Sequence, residues 1–508
     1  MFIPKEVKFV INELKKKNFE AYIVGGCVRD ILRGIPPQDW DVATNAKPEQ
    51  IGKIFLRSFT DNKFGTVTVQ VQSSKLKAQS YKSKFKNNKL KKQEIFEIEV
   101  TPFRIESKYT DKRHPDKIKW AKTIEEDLAR RDFTINAMAI DLRSRTSSKK
   151  PDFQIIDLFN GQKDLENKII RAVGNANKRF SEDALRLMRA VRFAVVLNFQ
   201  IEPKTKEAIK KNAGLLEFIS KERIRDELLK IIMSKKAAEG IELLRKLGLL
   251  KYIIPELEEG YGVKQNKHHI YEVYEHSILS LKYAAKRNFN KYVRLAALLH
   301  DIAKPRTKQG EGPDSTFYGH EIVGAKMCIQ ILERLKFSKK DIEKIAKLVR
   351  YHLFYYNVGE VSEASVRRLI RRVGPENMKE LLQVRYCDRI GSGVPKAEPY
   401  KLRYLRYVIE KVSQDPISVK MLKVSGKDVM KILNIPSGPK IGQILDILLG
   451  DVLIDPKKNE KRFLEKEIKK LGQLSEKELN SLAEKARKER EELEMKKDEM
   501  TKKKYWVT

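Results

Sequence analysis

A glycine turn after a predicted strand constrains the fold of this 508-residue chain more than any other feature. Tyr22-Ile23-Val24 is typical of the end of a buried strand, Gly25-Gly26 follow it, and Asp30-Ile31-Leu32 begins a predicted helix. Because glycine has no Cβ atom, such a strand-to-helix turn lets backbone N–H groups approach a phosphate group closely. The pattern therefore predicts an α/β domain with Gly25 and Gly26 at a phosphate-binding turn.

A pair of aspartates, Asp39 and Asp41, follows this turn and is predicted to lie on a strand. Residues i and i+2 of a strand point to the same face, so both carboxylates can bind one metal ion. Carboxylate oxygens suit Mg²⁺, which commonly bridges protein groups and nucleotide phosphates. Taken alone, the glycine pair is typical of an ordinary turn, and the aspartate pair is typical of a solvated strand end. Their order favours Mg²⁺-dependent chemistry on a nucleoside triphosphate.

The charge of the chain predicts a polyanionic partner. It carries 105 Lys and Arg residues against 69 Asp and Glu residues, a net charge of +36. Nucleic acid is the favoured partner for an excess of this size. A membrane is disfavoured because no segment approaches the ~18 consecutive apolar residues that cross a bilayer. The length of the chain predicts several domains.

Cysteine usage and the N-terminal residues predict a cytoplasmic location. Cys27, Cys328 and Cys387 are far apart and odd in number, which disfavours a disulfide framework or a zinc ribbon. Met1 to Lys5 lack the apolar stretch of a signal peptide.

Two further strands are predicted, over Gly65–Val71 and over Glu94–Phe103. Alternation places Glu99 on one face with Glu97 and Thr101, where Glu99 can supply a third carboxylate. A solvated strand face explains the same pattern equally well. Between these strands, Gln72–Gln93 contains eight lysines and no acidic residue, and a solvated loop is favoured over a phosphate-binding arm.

Two predicted helices carry charged residues that suit a nucleotide. In the first, Glu125–Met138, Arg130 and Asp132 flank an apolar stripe and are either a surface pair or ligands of a triphosphate and a ribose. In the second, Ser181–Ala194, Asp183 and Arg186 are three residues apart and therefore neighbours on one face.

The chemistry of Asp183 and Arg186 matches the edges of two bases. Cytosine and adenine each present an amino donor beside a ring-nitrogen acceptor, whereas uracil and guanine present a carbonyl and an N–H. A carboxylate and a guanidinium together would select C and A. The spacing is equally typical of an intrahelical ion pair worth ~0.2–0.5 kcal/mol, so it does not choose between the two interpretations.

A histidine–aspartate cluster indicates a second metal site. An adjacent His-Asp pair follows an apolar helix, and further histidines lie on separate predicted helices. Imidazole and carboxylate groups together suit a divalent transition metal. The candidate ligands are His276, His300, Asp301, His320, His352 and Asp388.

The ordered motifs resemble those of the bacterial class II tRNA nucleotidyltransferases, which are the CCA-adding enzymes and the related poly(A) polymerases. The matching motifs are Gly25-Gly26-x-Val28-Arg29-Asp30, Asp39-x-Asp41, Glu99-Val100-Thr101-x-Phe103-Arg104, Glu125 to Asn136, Arg179-Phe180-x-Glu182-Asp183-x-x-Arg186, Glu222 to Glu227 and, less strongly, Val424 to Gly450. The resemblance implies an α/β nucleotidyltransferase head with a mixed β-sheet, followed by mainly α-helical neck, body, HD and tail domains.

The resemblance also implies a role for each matching residue. Asp39 and Asp41 would bind Mg²⁺, with Glu99 as an auxiliary carboxylate. A second group would bind the nucleotide: Gly25, Gly26 and Arg29 at the triphosphate, Arg130 and Asp132 near the triphosphate and ribose, and Asp183 and Arg186 at the base. The segment Glu106–Lys119 occupies the place of a flexible loop. The implied activity is template-independent addition of CCA to tRNA from CTP and ATP, and the alternatives are poly(A), CC-only or A-only addition.

The histidine cluster resembles the HD-superfamily phosphohydrolases, whose H…HD…D pattern binds one metal and whose intervening histidines bind a second. That resemblance implies phosphohydrolase activity on 2′,3′-cyclic phosphates or phosphate monoesters, by analogy only. A second alternative is an HD phosphohydrolase with an RNA-binding N-terminal module.

Five segments are predicted along the chain. They are a head (1–140), a neck and body with nucleotide- and RNA-binding helices (141–262), an HD metal domain (263–392), a tRNA-binding body and tail (393–472) and a charged helix (473–508). The charged helix, Ser475–Lys504, is predicted to be solvated and partly frayed.

Overall fold

The computed structural model describes residues 3–60, 65–72, 95–107, 117–142, 153–266, 270–413 and 419–507. The lysine-rich segment from residue 73 onward and the middle of the predicted flexible loop lie outside these residues. The chain forms two compact units: Met1–His352 with Gln383–Val394, and Leu353–Leu382 with Pro395–Thr508.

The described residues of the first unit form eleven strands, which are β1 (Ala21–Val24), β2 (Asp41–Thr44), β3 (Ser58–Thr60), β4 (Val67–Gln72), β5 (Ile95–Pro102), β6 (Arg104–Ser107), β7 (Lys117–Trp120), β8 (Met138–Leu142), β9 (Phe153–Asp157), β10 (Ile169–Ile170) and β11 (Gln200–Ile201). Seven of them form the mixed sheet of the head, in the order β3-β4-β5-β2-β1-β8-β9. In this sheet β2 and β5 are parallel, and the other neighbouring pairs are antiparallel. The mixed α/β head is therefore confirmed.

Both faces of this sheet are covered, because successive side chains of a strand point to opposite faces. Ile23 and Val42 belong to the larger core cluster on one face, while Val24 and Ala43 belong to a smaller cluster on the other. The smaller cluster contains Leu128 of a short helix that carries part of the site.

The α-helices that lie wholly within the first unit precede His352 in the sequence. They are α1 (Lys5–Lys16), α2 (Gly26–Leu32), α3 (Pro48–Ile54), α4 (Ile124–Ala129), α5 (Gly161–Glu166), α6 (Ala176–Glu182), α7 (Leu185–Leu197), α8 (Pro203–Asn212), α9 (Lys221–Ile232), α10 (Ala237–Lys246), α11 (Pro255–Glu258), α12 (Val273–Lys286), α13 (Lys291–Leu299), α14 (Lys304–Thr307), α15 (His320–Arg334) and α16 (Lys339–Tyr351).

Three local predictions are wrong. β2 begins at Asp41, and Asp39 lies in the bend before it. The helix predicted over Glu125–Met138 ends at Ala129, and a 3-10 turn (Thr134–Asn136) and β8 follow. The helix predicted over Ser181–Ala194 is two helices, α6 and α7, interrupted at Asp183, whose backbone is extended.

The remaining helices are α17 (Glu363–Val373), α18 (Met378–Gly391), α19 (Tyr400–Ser413), α20 (Gly426–Leu433), α21 (Pro439–Ile454), α22 (Lys461–Gly472) and α23 (Glu476–Tyr505). In the second unit α23 is a continuous helix whose side chains are mostly exposed, as predicted from its composition, and it contacts the rest of that unit at a few positions. Its N-terminus is capped by Ser475, Leu479 and Ala483 are buried in the core of that unit, and Asp498 accepts a hydrogen bond from Tyr407 of α19. Within the described residues, no helix is long and apolar enough to cross a membrane.

Candidate active site and metal centre

The turn between β1 and α2 brings Asp41 and Arg131 against Gly25. Gly25 has a φ of +79°, a region that side-chain-bearing residues rarely adopt. A Cβ atom at this position would lie 2.9 Å from Arg131 Nη1 and 3.3 Å from Asp41 Oδ2. The turn therefore requires glycine, for its conformation and for its neighbours.

The three predicted carboxylates converge on one part of the sheet. Asp41 of β2 is in parallel register with Glu99 of β5, so both side chains lie on the same face. The pKa of Asp41 is raised, mainly because the side chain is buried. The nearby Asp39 carboxylate also raises this pKa, and Arg131 lowers it only in part. Asp39 and Glu99 are exposed. These hard oxygen donors fit Mg²⁺.

The buried Asp127 carboxylate binds two successive arginines. Arg130 donates from Nε and Nη2 to Oδ1, at 3.0 and 2.6 Å, and Arg131 donates from Nε and Nη2 to Oδ2, at 3.3 and 3.0 Å. Burial alone would raise the pKa of Asp127, but the two guanidinium groups outweigh it and hold the pKa below its ordinary value. Asp127 thereby fixes Arg131 beside Asp41.

Arg29 lies along α2, directly after the glycine turn. Its Nε and Nη2 donate to the Asp30 carboxylate at 2.9 and 2.8 Å, and its Nη1 donates to Asn136 Oδ1 at 2.9 Å. Asn136 Nδ2 in turn donates to Asp132 Oδ1 at 3.3 Å. Asn136 therefore connects the turn to the next carboxylate of the site.

Asp132 is buried and accepts hydrogen bonds from several groups. Phe133 N donates to Oδ1 at 2.8 Å, and Arg189 Nε of α7 donates to Oδ2 at 2.7 Å. Burial would raise the pKa of Asp132, but Arg189 and Arg186 outweigh it and lower the pKa. Arg130 and Asp132 thus belong to two different networks, and their contacts with a nucleotide stay predictions.

Asp183 and Arg186 lie at the junction of α6 and α7, each held by other groups. Asp183 Oδ1 accepts from Leu185 N at 3.1 Å and from Arg223 Nη1 at 3.1 Å, and its Oδ2 accepts from Arg223 Nη2 at 2.8 Å. Arg186 Nη1 donates to Glu182 Oε2 at 2.8 Å and to Arg179 O at 3.0 Å. Asp183 and Arg186 therefore do not form the intrahelical ion pair considered from the sequence: Arg186 pairs with Glu182 across the break between α6 and α7, and Asp183 pairs with Arg223 of α9.

Several residues of this site escaped the sequence analysis: Asp127, Arg131, Asn136, Arg189 and Arg223. Arg131 and Arg223 lie within matching motifs, but no role is predicted for either of them from the sequence. Their partners lie on other elements, so a local pattern carried no signal for the contacts. The exception is Asp127, which lies three and four residues before Arg130 and Arg131, a spacing that predicts ion pairs on a helix.

The six residues predicted for the second site come from separate segments, and their side chains meet in the interior of the first unit. All six are buried. His276 is on α12, His300 and Asp301 follow α13, His320 begins α15, His352 follows α16 and Asp388 is on α18.

These side chains form two groups of three that suit metal ions. One group is His276, His300 and Asp388, the other is Asp301, His320 and His352, and ligand atoms within each group lie within 4.8 Å of one another. Asp301 reaches both groups, with Oδ2 at 3.1 Å from His276 Nε2 and Oδ1 at 3.4 Å from His320 Nε2.

Backbone carbonyls orient three of the histidines for metal binding. The Nδ1 atoms of His300, His320 and His352 lie 2.9, 2.7 and 2.7 Å from carbonyl oxygens three residues earlier. A carbonyl only accepts, so each Nδ1 carries the proton, and a neutral ring then presents its Nε2 lone pair to the centre.

Two cations complete the surroundings. Lys304 Nζ lies 2.7 Å from Asp301 Oδ2 and Arg385 Nη1 lies 2.5 Å from Asp388 Oδ2. Burial alone would raise the pKa of both carboxyls. The facing His300 and Lys304 instead hold the pKa of Asp301 well below its ordinary value. Arg385 and His300 do the same for the pKa of Asp388. Burial and the neighbouring His300 lower the pKa of His352 to about 3. Anionic carboxylates and a neutral imidazole are the forms that bind metals.

The first site defines a nucleotidyltransferase, and comparisons with known families agree. The family model described as Poly A polymerase head domain matches residues 21–171, and one described as a probable RNA and SrmB-binding site of polymerase A matches residues 198–260. The HD domain model matches residues 268–391 and includes all six residues of the second site.

Relatives along most of the chain define the family. The CCA-adding enzyme of Ligilactobacillus salivarius (strain UCC118) is 33% identical over 478 residues, covering 92% of this chain and 98% of that protein. The A-adding tRNA nucleotidyltransferase of Deinococcus radiodurans is 36% identical over 348 residues, covering 65% of this chain and 76% of that protein. The crystal structure of the Bacillus stearothermophilus CCA-adding enzyme in complex with CTP is 28% identical, has a TM-score of 0.55, and covers 92% of this chain and 98% of that chain. The chain belongs to the CCA-adding enzyme family of tRNA nucleotidyltransferases.

Proposed function

We propose that this protein completes the 3′ end of tRNA by adding C, C and A from CTP and ATP. The observation that carries the proposal is the hydrogen-bonding capacity of Asp183 and Arg186. Asp183 Oδ2 accepts one hydrogen bond, from Arg223, so it retains capacity to accept an amino N–H. Arg186 uses three of its five N–H groups, on Glu182 Oε2 and the carbonyls of Arg179 and Arg130. The remaining acceptor of Asp183 and one of the two remaining donors of Arg186 match the amino group and the ring nitrogen of C or A.

The metal site of this reaction is assigned to Asp39 and Asp41, with Glu99 beside them. Bound Mg²⁺ supplies charge neutralisation at the triphosphate and activation of the attacking 3′-hydroxyl. Asp41, on a strand, is the rigid ligand, and Asp39 in the preceding bend is the adjustable one. The turn at Gly25 and Gly26 presents backbone toward the triphosphate, and Arg131 adds positive charge beside Asp41. Base and triphosphate are thus held by protein groups, so the reaction needs no nucleic-acid template.

RNA binding is supported by the charge of the chain and by one helix of the second unit. α17 buries Val366 and Val373 and exposes four arginines on the rest of its surface. Arg371 and Arg372 lie four residues after Arg367 and Arg368, so the four charges form one basic face. A face of this kind suits the phosphate backbone of tRNA.

One experiment separates the candidate activities. A tRNA transcript without its 3′-terminal CCA is incubated with Mg²⁺ and CTP, ATP or both, and the products are sized. Two C and one A followed by a stop support the proposal. Addition of A alone would replace it with A-only addition, the activity that the name of the Deinococcus relative gives for that protein, and a CC stop with both nucleotides would replace it with CC-only addition.

The same assay tests the poly(A) polymerase alternative, the metal assignment and the phosphohydrolase alternative. A long A ladder on generic RNA would favour a poly(A) polymerase. Asp39→Ala and Asp41→Ala should abolish incorporation while tRNA binding persists, and undiminished addition would contradict the metal assignment. A phosphohydrolase with an RNA-binding N-terminal module predicts no incorporation by the unaltered protein.

We also propose a phosphohydrolase activity at the histidine–aspartate centre, acting on a 2′,3′-cyclic phosphate or a phosphate monoester at an RNA 3′ end. Its support is the double group of buried imidazole and carboxylate ligands, a donor set that suits a divalent transition metal. Such an activity would prepare a damaged 3′ end for rebuilding. Hydrolysis of a 2′,3′-cyclic nucleotide, assayed with several divalent metals, should disappear in His300→Ala while nucleotide addition is retained.

A further inference from the structure

The helices that carry His276 and Asp388 meet at two small residues. Gly391 ends α18, three residues after Asp388, and Ser280 lies on α12, four residues after His276. Both small residues are buried. A Cβ atom at Gly391 would overlap Ser280 Oγ and would lie 2.8 Å from the backbone oxygen of His276 and 3.2 Å from its Nδ1. The two helices are therefore in close contact directly beside a metal-ligand candidate.

Gly391 is required for space and not for backbone conformation. Its φ lies outside the positive region that favours glycine. Real Cβ atoms essentially never have contacts under 3.0 Å, so a side chain at this position would displace its neighbours. Ser280 can turn its hydroxyl away about one torsion, but the carbonyl of His276 belongs to the backbone of α12. The two helices themselves would have to separate.

This separation is larger than a metal site tolerates. Ordinary Cβ contacts begin near 3.4 Å, so Gly391 and the His276 carbonyl would move apart by roughly 0.6 Å, whereas ligand distances in metal sites lie within ~0.2 Å of their ideal values. Asp388 Oδ1 lies 3.5 Å from His276 Nε2 and 3.7 Å from His300 Nε2. Arg385, on the same helix, holds the other oxygen of Asp388 at 2.5 Å. Asp388 would therefore move with α18, away from the two histidines.

We propose that Gly391 is a positioning residue for one of the two metal groups: opposite Ser280, it lets α18 approach α12 closely enough for Asp388 to complete the group of His276 and His300. This inference rests on the proposed phosphohydrolase centre, because it concerns the same ligands. The other group has no member on α12 or α18, and its ligands are Asp301, His320 and His352. The effect of Gly391 is therefore confined to one metal position.

The experiment counts metal ions bound to the full-length chain. The metal-free protein is titrated with Co²⁺, whose visible absorption reports nitrogen coordination, in the presence of excess Mg²⁺ to occupy the carboxylate site of the head. Gly391→Ala is compared with Gly324→Ala, the matched control. Gly324 is a buried glycine of α15, and a Cβ atom there would lie 3.6 Å from the backbone oxygen of His300. Each substitution places a methyl group against the carbonyl of a histidine ligand, but only the first places it too close.

The expected result is a selective loss of one metal ion. The unaltered protein and Gly324→Ala should each bind two Co²⁺ ions. In Gly391→Ala the affinity of one position should fall roughly tenfold to a hundredfold while the other is retained, and nucleotide incorporation should not change. Adding Ser280→Ala to this variant removes the nearest obstructing atom and should restore part of the affinity. A merely structural role would weaken both positions together.

Three outcomes would overturn the inference. Two ions bound at unaltered affinity in Gly391→Ala would give Gly391 no role, and equal weakening of both positions would give it a structural role only. A single ion in the unaltered protein would contradict the division into two groups. If Gly391→Ala does not fold, the double variant with Ser280→Ala decides on the same counts. If the unaltered protein binds no Co²⁺, the proposed activity of the centre fails instead, and the two failures are therefore distinct.

Discussion

Replacing Asp127 with asparagine tests whether one buried carboxylate holds the arginines of the nucleotide site. An asparagine carbonyl can accept from one guanidinium, but its NH₂ group then faces the other. Two of the four N–H···O contacts are therefore lost, together with the negative charge. Charge-assisted hydrogen bonds contribute ~1.5–3 kcal/mol each, and removing one partner of a buried ion pair costs ~3–5 kcal/mol.

The expected loss for Asp127→Asn is ~3 kcal/mol, near the lower limit for a buried pair. The side chains of Arg130 and Arg131 remain 16% and 19% exposed, so water recovers part of the lost interaction. This loss corresponds to about a 150-fold rise in local opening. Amide hydrogen exchange in α4 and the following 3-10 turn measures that opening directly, without requiring the whole chain to unfold in one step. Nucleotide addition should also fall, because Arg131 is no longer fixed beside Asp41.

The pH dependence of this effect has a defined sign. The pKa of Asp127 in the folded protein is lowered, so its stabilising contribution is complete above the unfolded pKa of ~3.9 and is lost as the pH falls through the folded value. The difference between the unaltered protein and Asp127→Asn should be constant from pH 7 to about pH 5 and shrink under more acidic conditions. Glu126→Gln, an exposed acid on the same helix, is the control and should change little. Equal exchange protection of Asp127→Asn and the unaltered protein at pH 7 would refute the reasoning.

Four further predictions concern the two sites, the link between them and the RNA surface. Gly25→Ala should lower the rate of nucleotide incorporation about 100-fold or more, since φ at this position is +79° and the new Cβ would meet Arg131; tRNA binding, measured in parallel, should persist. His352→Ala should lower the divalent metal content of the purified protein, measured by elemental analysis, and leave incorporation intact. Arg294→Met should lower the thermal midpoint of the protein, because the buried guanidinium donates to the carbonyls of Ile232 and Ser234. Replacing two arginines of α17 with glutamine should reduce the slope of log affinity for tRNA against log salt by about 1.4–1.8, at ~0.7–0.9 for each phosphate contact, and an unchanged slope would exclude this helix from the RNA interface.

The architecture of both sites follows from local patterns in the sequence. A glycine turn after an apolar strand and a His-Asp pair after an apolar helix are short-range signals, and the structure contains both elements. The lysine-rich segment after Gln72 and the centre of the predicted flexible loop lie outside the described residues, and the boundaries of the five segments stay predictions.

The errors arose where long-range contacts override local periodicity. Leu128, Ile135 and Met138 match a helical spacing, yet they are buried from a helix, a 3-10 turn and a strand. Each of these three side chains is buried by a different element, so their helical spacing does not indicate a single helix. Asp183 interrupts a sequence of good helix formers because its side chain bonds the backbone of Leu185 and the distant Arg223. The pair is forty positions apart in the sequence, so it leaves no periodic pattern.

The first turn of α9 contacts the nucleotide site, and its last turn contacts the helix that leads to the second site. Arg223 near its start binds Asp183, while the carbonyl of Ile232 at its end accepts from Arg294 of α13, the helix that leads into His300 and Asp301. An α-helix turns ~100° and rises ~1.5 Å with every residue. Inserting one residue into α9 would therefore rotate Arg223 away from Asp183 even if the contact with Arg294 were kept. The length of this helix is thus under two independent constraints, and relatives that retain both contacts should differ in α9 by whole turns or not at all.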